Sequence, residues 1–222
     1  MTIKGLIFDF DGLILDTETP EFQVLQEMFR SFGVNLPLAE WALALGASFE
    51  AFDPLQYLEK KVGKPLDQAW LYRSWHEKSL ERINIQPPLP GVVPLIRQAR
   101  QRGLKLGIAS SSPAVWVQTH LSRLDLAQDF DVILTSDDVT HIKPHPELYL
   151  KAAATLGLEP SEAIALEDSP NGITAARAAG LFCAAVLNSL TRQLNTSHAN
   201  VVFDSLEGVT LDLLLEKTNH HH

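Results

Sequence analysis

The sequence predicts an α/β protein: a parallel sheet flanked by helices, with a helical unit inserted after the first strand. Two observations carry this reading. Short apolar runs alternate with amphipathic stretches of helical length through most of the chain, which is the pattern of consecutive β-α-β units. The alternation fails once, from about residue 16 to residue 86, where helical periodicity continues without a convincing strand. With 222 residues, 45% of them hydrophobic, the chain is long enough for a core and a small second unit.

The elements follow in order. Residues 3–8 form the first apolar run, broken only by Lys4 and Gly5, and it ends in Asp9-Phe10-Asp11-Gly12. The insertion then holds helical patterns at 20–32, 38–45, 52–62 and 66–83. Trp41, Trp70 and Trp75 fall within them and read mostly as bundle core, whereas Lys60, Lys61, Arg73 and His76 read as solvated faces. Gln86-Pro87-Pro88-Leu89-Pro90-Gly91 is a stiff linker back to the sheet. Strands are then expected at 104–109, 132–134, 163–166, 182–187 and 201–203, separated by helices at 92–102, 114–124, 146–156 and 170–179. The expected organisation is a core of residues 1–15 and 88–219, an insertion of residues 16–87, and a tag remnant at 220–222 that is left out.

Composition narrows the partners. The formal net charge is -9 and no basic stripe is present, which argues against nucleic acid. No apolar stretch approaches the ~20 residues of a membrane span. The first apolar run is too short for a signal peptide and is interrupted by Asp9 and Asp11. The one cysteine, Cys183, lies in an apolar run and reads as a small buried hydrophobe, so a reducing, cytoplasmic setting is expected. No unexplained apolar stripe is visible, and a monomer is expected.

Strand ends carry the chemistry. Side chains at i and i+2 of a strand share a side, so Asp9 and Asp11 are expected to converge at the carboxyl edge of the sheet, where open α/β sheets bind ligands. Two carboxylates there repel unless a cation or proton lies between them. A turn explains Asp11-Gly12 equally well, but not Asp9 at the end of a buried strand. The later strand ends add Ser110-Ser111-Ser112, then Lys143, then Glu167-Asp168. Each has a plain alternative: a helix cap, a surface lysine, a solvated acid pair. All four in chain order are hard to attribute to chance. Thr19-Pro20, Ser112-Pro113, His145-Pro146 and Ser169-Pro170 resemble helix starts, and helix N-termini at this edge would suit a dianion.

Taken together, DFDGLILDTE (9–18), IASSS (108–112), IKPHPE (142–147) and ALEDSPNGI (165–173) resemble the haloacid dehalogenase-like superfamily, in its group with a helical cap after the first motif. The resemblance implies a Rossmann-like core and a Mg²⁺-dependent phosphatase acting on small phosphorylated metabolites, sugar phosphates or phosphoglycolate among them. It implies Asp9 as nucleophile, Asp11 as general acid and base, and Ser110 and Lys143 as holders of the phosphoryl oxygens. Mg²⁺ would be bound by Asp9, the backbone carbonyl of Asp11, Asp168 and nearby Glu167. Gly12, Glu18, Glu21, Phe49, Ser111 and Asn171 are the candidate substrate contacts. Hinges are expected at 15–17 and 86–88. A β-phosphoglucomutase-like mutase is the alternative, and a silent phosphate-binding protein a further one. Glu21 stands about where mutases, and many related sugar phosphatases, carry histidine; against the mutase, Gly46-Ala47-Ser48-Phe49 replaces a Gly-x-Ser-Arg motif and Thr17-Glu18 follows the phosphatase pattern.

Overall fold

The computed structural model describes residues 2–43 and 52–219. Six parallel strands form one sheet in the order β3-β2-β1-β4-β5-β6: β1 (Gly5–Phe8), β2 (Lys105–Ala109), β3 (Val132–Leu134), β4 (Ala163–Glu167), β5 (Phe182–Val186) and β6 (Val201–Phe203). The expected α/β class is therefore observed, and each expected strand is present to within two residues at either end. β1 and β4 lie at the centre and are buried along their whole length, which is why they read as apolar runs rather than as alternating ones.

The two faces of the sheet differ in side-chain size. Leu6, Phe8, Leu106, Ile108, Ile164 and Leu166 face one helical layer, built from α5 (Val92–Gln101), α6 (Ala114–Arg123) and α9 (Leu211–Asn219). Ile7, Ala109, Ala163, Ala165, Cys183 and Ala185 face the other, made by α7 (Glu147–Thr155) and α8 (Pro170–Ala178), whose own contacts include Ala152, Ala153, Ala175 and Ala176. Alanine on both sides lets these two helices lie close to the strands. The strand order reverses between β1 and β4, so the crevice at their carboxyl ends is the switch point where such sheets bind ligands.

Between β1 and α5 the chain forms only helices among the described residues: α1 (Glu18–Ser31), α2 (Leu38–Trp41), α3 (Pro54–Val62) and α4 (Gln68–Ile83). They share a core of their own, with Phe22, Leu25, Phe29, Leu58, Leu71, Trp41 and Trp75 buried together. Trp41 and Trp75 meet edge to face at 6.1 Å, a favourable geometry for aromatic pairs. Trp70 departs from the expectation: it is exposed, at 53%. Lys60, Lys61, Arg73 and His76 are exposed, as expected. The two connections to the sheet run side by side, since Leu15 bridges Pro88 and Leu89 N–H donates to the Ile14 carbonyl at 2.9 Å.

Helix starts fit the expectation unevenly. Ser169-Pro170 behaves as read, with the Ser169 hydroxyl accepting from Gly172 N–H and proline in the first helical turn. Thr19-Pro20 lies inside α1, which starts at Glu18, and Pro113 and Pro146 sit just ahead of α6 and α7 without a side-chain cap.

Candidate active site

The ends of β1 and β4 build the acidic centre. Asp9 follows β1 directly and extends its ladder, its N–H donating to the Leu166 carbonyl at 2.9 Å. Its carboxylate is buried and accepts from Lys143 Nζ at 2.7 Å. The same ammonium donates to Glu167 Oε1 at 2.6 Å, and that oxygen also accepts from the Tyr149 hydroxyl at 2.5 Å. Lys143 is itself buried and lies over the Tyr149 ring, 5.2 Å from its centroid. Asp168 completes the group: ligand atoms of Asp9, Glu167 and Asp168 lie within 4.8 Å of one another.

Three buried carboxylates thus share one ammonium, and the imbalance shows in their acidity. Burial, reinforced by the charge of Glu167 and only partly offset by Lys143, raises the Asp9 carboxyl from 3.8 to about 7. Burial and the charge of Asp9 push Asp168 well above the usual carboxylate range. Burial alone would lower Lys143, but Asp9 and Glu167 hold it above its ordinary value. Among the described residues, Asp168 Oδ1 and Glu18 Oε2 are buried without a hydrogen-bond donor. An orphaned carboxylate oxygen beside a surplus of buried negative charge fits a divalent cation, and an all-oxygen donor set suits a hard one.

Asp11 is held separately. Past Phe8 the chain turns at Gly12 with φ +74, and the charge of Asp11 adds to the rise in the Asp9 carboxyl. The Asp11 carboxylate is held by donors at the end of β2 and beyond. Its Oδ1 accepts from Thr17 Oγ1 and Trp116 Nε1, each at 2.8 Å. Its Oδ2 accepts from Ser112 Oγ at 2.7 Å and more distantly from Ser110 Oγ at 3.4 Å. The Asp11 side chain is not one of the clustered carboxylates.

Gly12 is forced by its surroundings: a Cβ there would lie 2.2 Å from Asp168 Oδ2 and 2.9 Å from Glu18 Oε2. Glu18 is buried in the first turn of α1, and burial together with Asp168 raises its carboxyl well above normal. Glu21, on the next turn, is half-buried, and burial aided by the charge of Asp11 takes its carboxyl to about 8. Ser111 and Asn171 are half-buried beside the β2 and β4 ends. Phe49 and its motif lie outside the described residues.

Four contributors were not expected from sequence: Tyr149, Trp116, Asn188 and Gly172. Gly172 closes the floor beneath Glu167, whose carboxylate would lie 2.0 Å from a Cβ at that position. Gly172→Ala is therefore expected to destabilise the protein by about 1–3 kcal/mol through overpacking, although alanine raises helix propensity by ~1 kcal/mol. A thermal melt at or above wild-type would contradict the packing argument.

A doubly wound α/β sheet with a buried, cation-ready acidic cluster at its switch point is the class that fold and site define. Comparison with known proteins gives the family. The family model for haloacid dehalogenase-like hydrolases matches residues 6–186. YhcW of Bacillus subtilis (strain 168), a phosphatase by name only, is 45% identical over 217 residues, covering 98% of each chain. Hexitol phosphatase B of Escherichia coli (strain K12) is 33% identical over 178 residues, 80% of each. Among solved structures, β-phosphoglucomutase from Clostridium difficile superposes with a TM-score of 0.78 at 26% identity, covering 99% of both chains. The chain belongs to the haloacid dehalogenase-like hydrolases, in the phosphatase and β-phosphoglucomutase group, and is an enzyme of the phosphoric monoester hydrolase class. No described helix is long and apolar enough to cross a membrane.

Proposed function

We propose that this enzyme is a Mg²⁺-dependent phosphatase for small sugar or polyol phosphates, working through an aspartyl-phosphate intermediate. The observation that supports it most is the buried Asp9–Lys143–Glu167 chain beside the orphaned Asp168 Oδ1. Asp9 attacks phosphorus as its bond to the leaving oxygen breaks, and Asp11 gives that oxygen a proton. Asp11 then takes a proton from water, whose oxygen attacks phosphorus and frees Asp9. Dividing the hydrolysis in this way replaces one hard step by two easier ones. Lys143 and the Ser110 hydroxyl hold the phosphoryl oxygens, offsetting the repulsion between a carboxylate and a phosphate dianion. Asp9, Asp168, Glu167 and the Asp11 carbonyl would hold Mg²⁺, which supplies further charge neutralisation on those oxygens.

The insertion, residues 16–87, acts as the lid that excludes water and selects the leaving group. Glu18 and Glu21 bring carboxyl groups to that side, so a leaving group rich in hydroxyls suits the site better than one carrying a second anion such as glycolate. Gly12, Ser111 and Asn171 line the phosphate end. The test is phosphate release from a panel of phosphomonoesters in Mg²⁺ and in EDTA. Release confined to Mg²⁺ and strongest with polyol or sugar phosphates is expected; equal release in EDTA refutes the reading. The likeness to β-phosphoglucomutase favours one second reading. It predicts interconversion of β-glucose 1-phosphate primed by a sugar bisphosphate, with little net phosphate released.

A further inference from the structure

Asn188 follows β5 at the carboxyl edge of the sheet and is nine-tenths buried, at 8% exposure. Its Nδ2 donates to Asp168 Oδ2 at 2.7 Å and to the Gly12 carbonyl at 3.0 Å. Its Oδ1 accepts from the N–H groups of Leu190 and Thr191, both at 2.9 Å. This partner set fixes the orientation of the amide, because a flip would set oxygen against two acceptors and NH₂ against two donors. All of the amide's contacts are thus to named groups from three places: the β4 end, the β1 turn and its own loop. The loop reaches further. Leu190 is buried in the hydrophobic cluster of the helical insertion, Leu194 packs against it, and the Ser189 and Thr19 hydroxyls are hydrogen-bonded at 2.8 Å.

We propose that Asn188 is a positioning residue of the cation centre: it sets the spacing between the Asp168 carboxylate and the Asp11-Gly12 backbone, from a loop seated in the helical insertion. The inference rests on the reading of Asp168 as a cation ligand. One side chain of the acidic centre and the backbone turn beside it hang from a single amide. Asp168 Oδ2 is occupied by Asn188, which leaves Oδ1, the orphaned oxygen, as the one that would take the cation. Partners of this kind orient the ligand carboxylate, and their loss typically weakens metal affinity by ~10–100-fold.

The experiment is calorimetric titration of Mg²⁺ into metal-stripped protein without substrate, with thermal melts alongside, for wild-type, Asn188→Ala, Asn188→Asp and Thr191→Val. The Thr191 hydroxyl oxygen accepts from Asn188 N–H at 3.0 Å and braces the loop without touching Asp168. Asn188→Ala is expected to lose about tenfold or more in Mg²⁺ affinity. Asn188→Asp keeps the shape but sets a carboxylate against Asp168, and should lose at least as much. Thr191→Val should melt lower yet bind Mg²⁺ within about threefold of wild-type, a loss well short of the tenfold that marks a removed ligand partner. Wild-type affinity in Asn188→Ala, or equal losses in Asn188→Ala and Thr191→Val, would overturn the proposal. No Mg²⁺ binding by the wild-type protein would overturn the metal reading itself, and this proposal with it.

Discussion

Asp9→Asn is expected to lower phosphate release by at least ~10⁴-fold, the scale seen when a group inseparable from the chemistry is removed, while the protein stays folded. The amide occupies the same space but is no nucleophile. Lys143 keeps Glu167 as a partner, so its charge is not stranded. The metal-free variant should melt above wild-type near pH 8, because one negative charge has left a buried cluster that already holds too many. That combination, lost turnover with gained stability, separates a reacting group from a structural one. Residual activity above about 1% of wild-type would be incompatible with an essential nucleophile on the same scale.

The second large effect joins protons to the metal. In metal-free protein the Asp9 carboxyl lies near 7 in the folded state against 3.8 ordinarily, and Asp168 and Glu18 are raised in the same direction. Between those values the folded chain binds more protons than the unfolded one, so stability falls as pH rises. Glu21, at about 8, carries the decline to that point. His120 acts in the opposite sense, since burial lowers its pKa, but only below its ordinary value of 6.5. Melting in EDTA should therefore be lower at pH 8 than at pH 6.5. Mg²⁺ at the proposed site would neutralise the charge that protons otherwise offset, so its stabilising shift should be larger at pH 8. A metal-free melt that is flat or rising over this range would show that the carboxylates are not strained by their neighbours.

Much of this was legible in the sequence. The strands could be read because β1 and β4 are buried on both faces and so become unbroken apolar runs. The ends of those strands could be read because Asp9, Glu167 and Asp168 are charged residues where a sheet interior stops. What escaped has a common physical cause. Tyr149, Trp116 and Asn188 act through long-range hydrogen bonds to site groups, the shortest at 2.5, 2.8 and 2.7 Å. Nothing in their neighbours along the chain marks that partner. Gly172 matters through what would collide with it, which no local pattern encodes. α9 escaped because Leu211, Leu213, Leu214 and Leu215 crowd together rather than spacing out at helical intervals, although only Leu211 and Leu214 are buried. The separate hydrogen-bond partners of Asp11 were not legible, because strand geometry stops at Phe8 and the turn that Gly12 makes possible sets the side chain's direction.

The pairing of Leu15 with Pro88 has a consequence for how such an enzyme can change over time. The excursion of roughly seventy residues begins and ends at neighbouring points tied by backbone hydrogen bonds; long insertions with adjacent ends cost little in chain entropy. Sequence drift or lengthening in the helices away from Thr17, Glu18 and the Leu190 contact can therefore proceed without altering the alignment of β1 on β2 and β4. The register of the sheet and the make-up of the outer helices are separable traits.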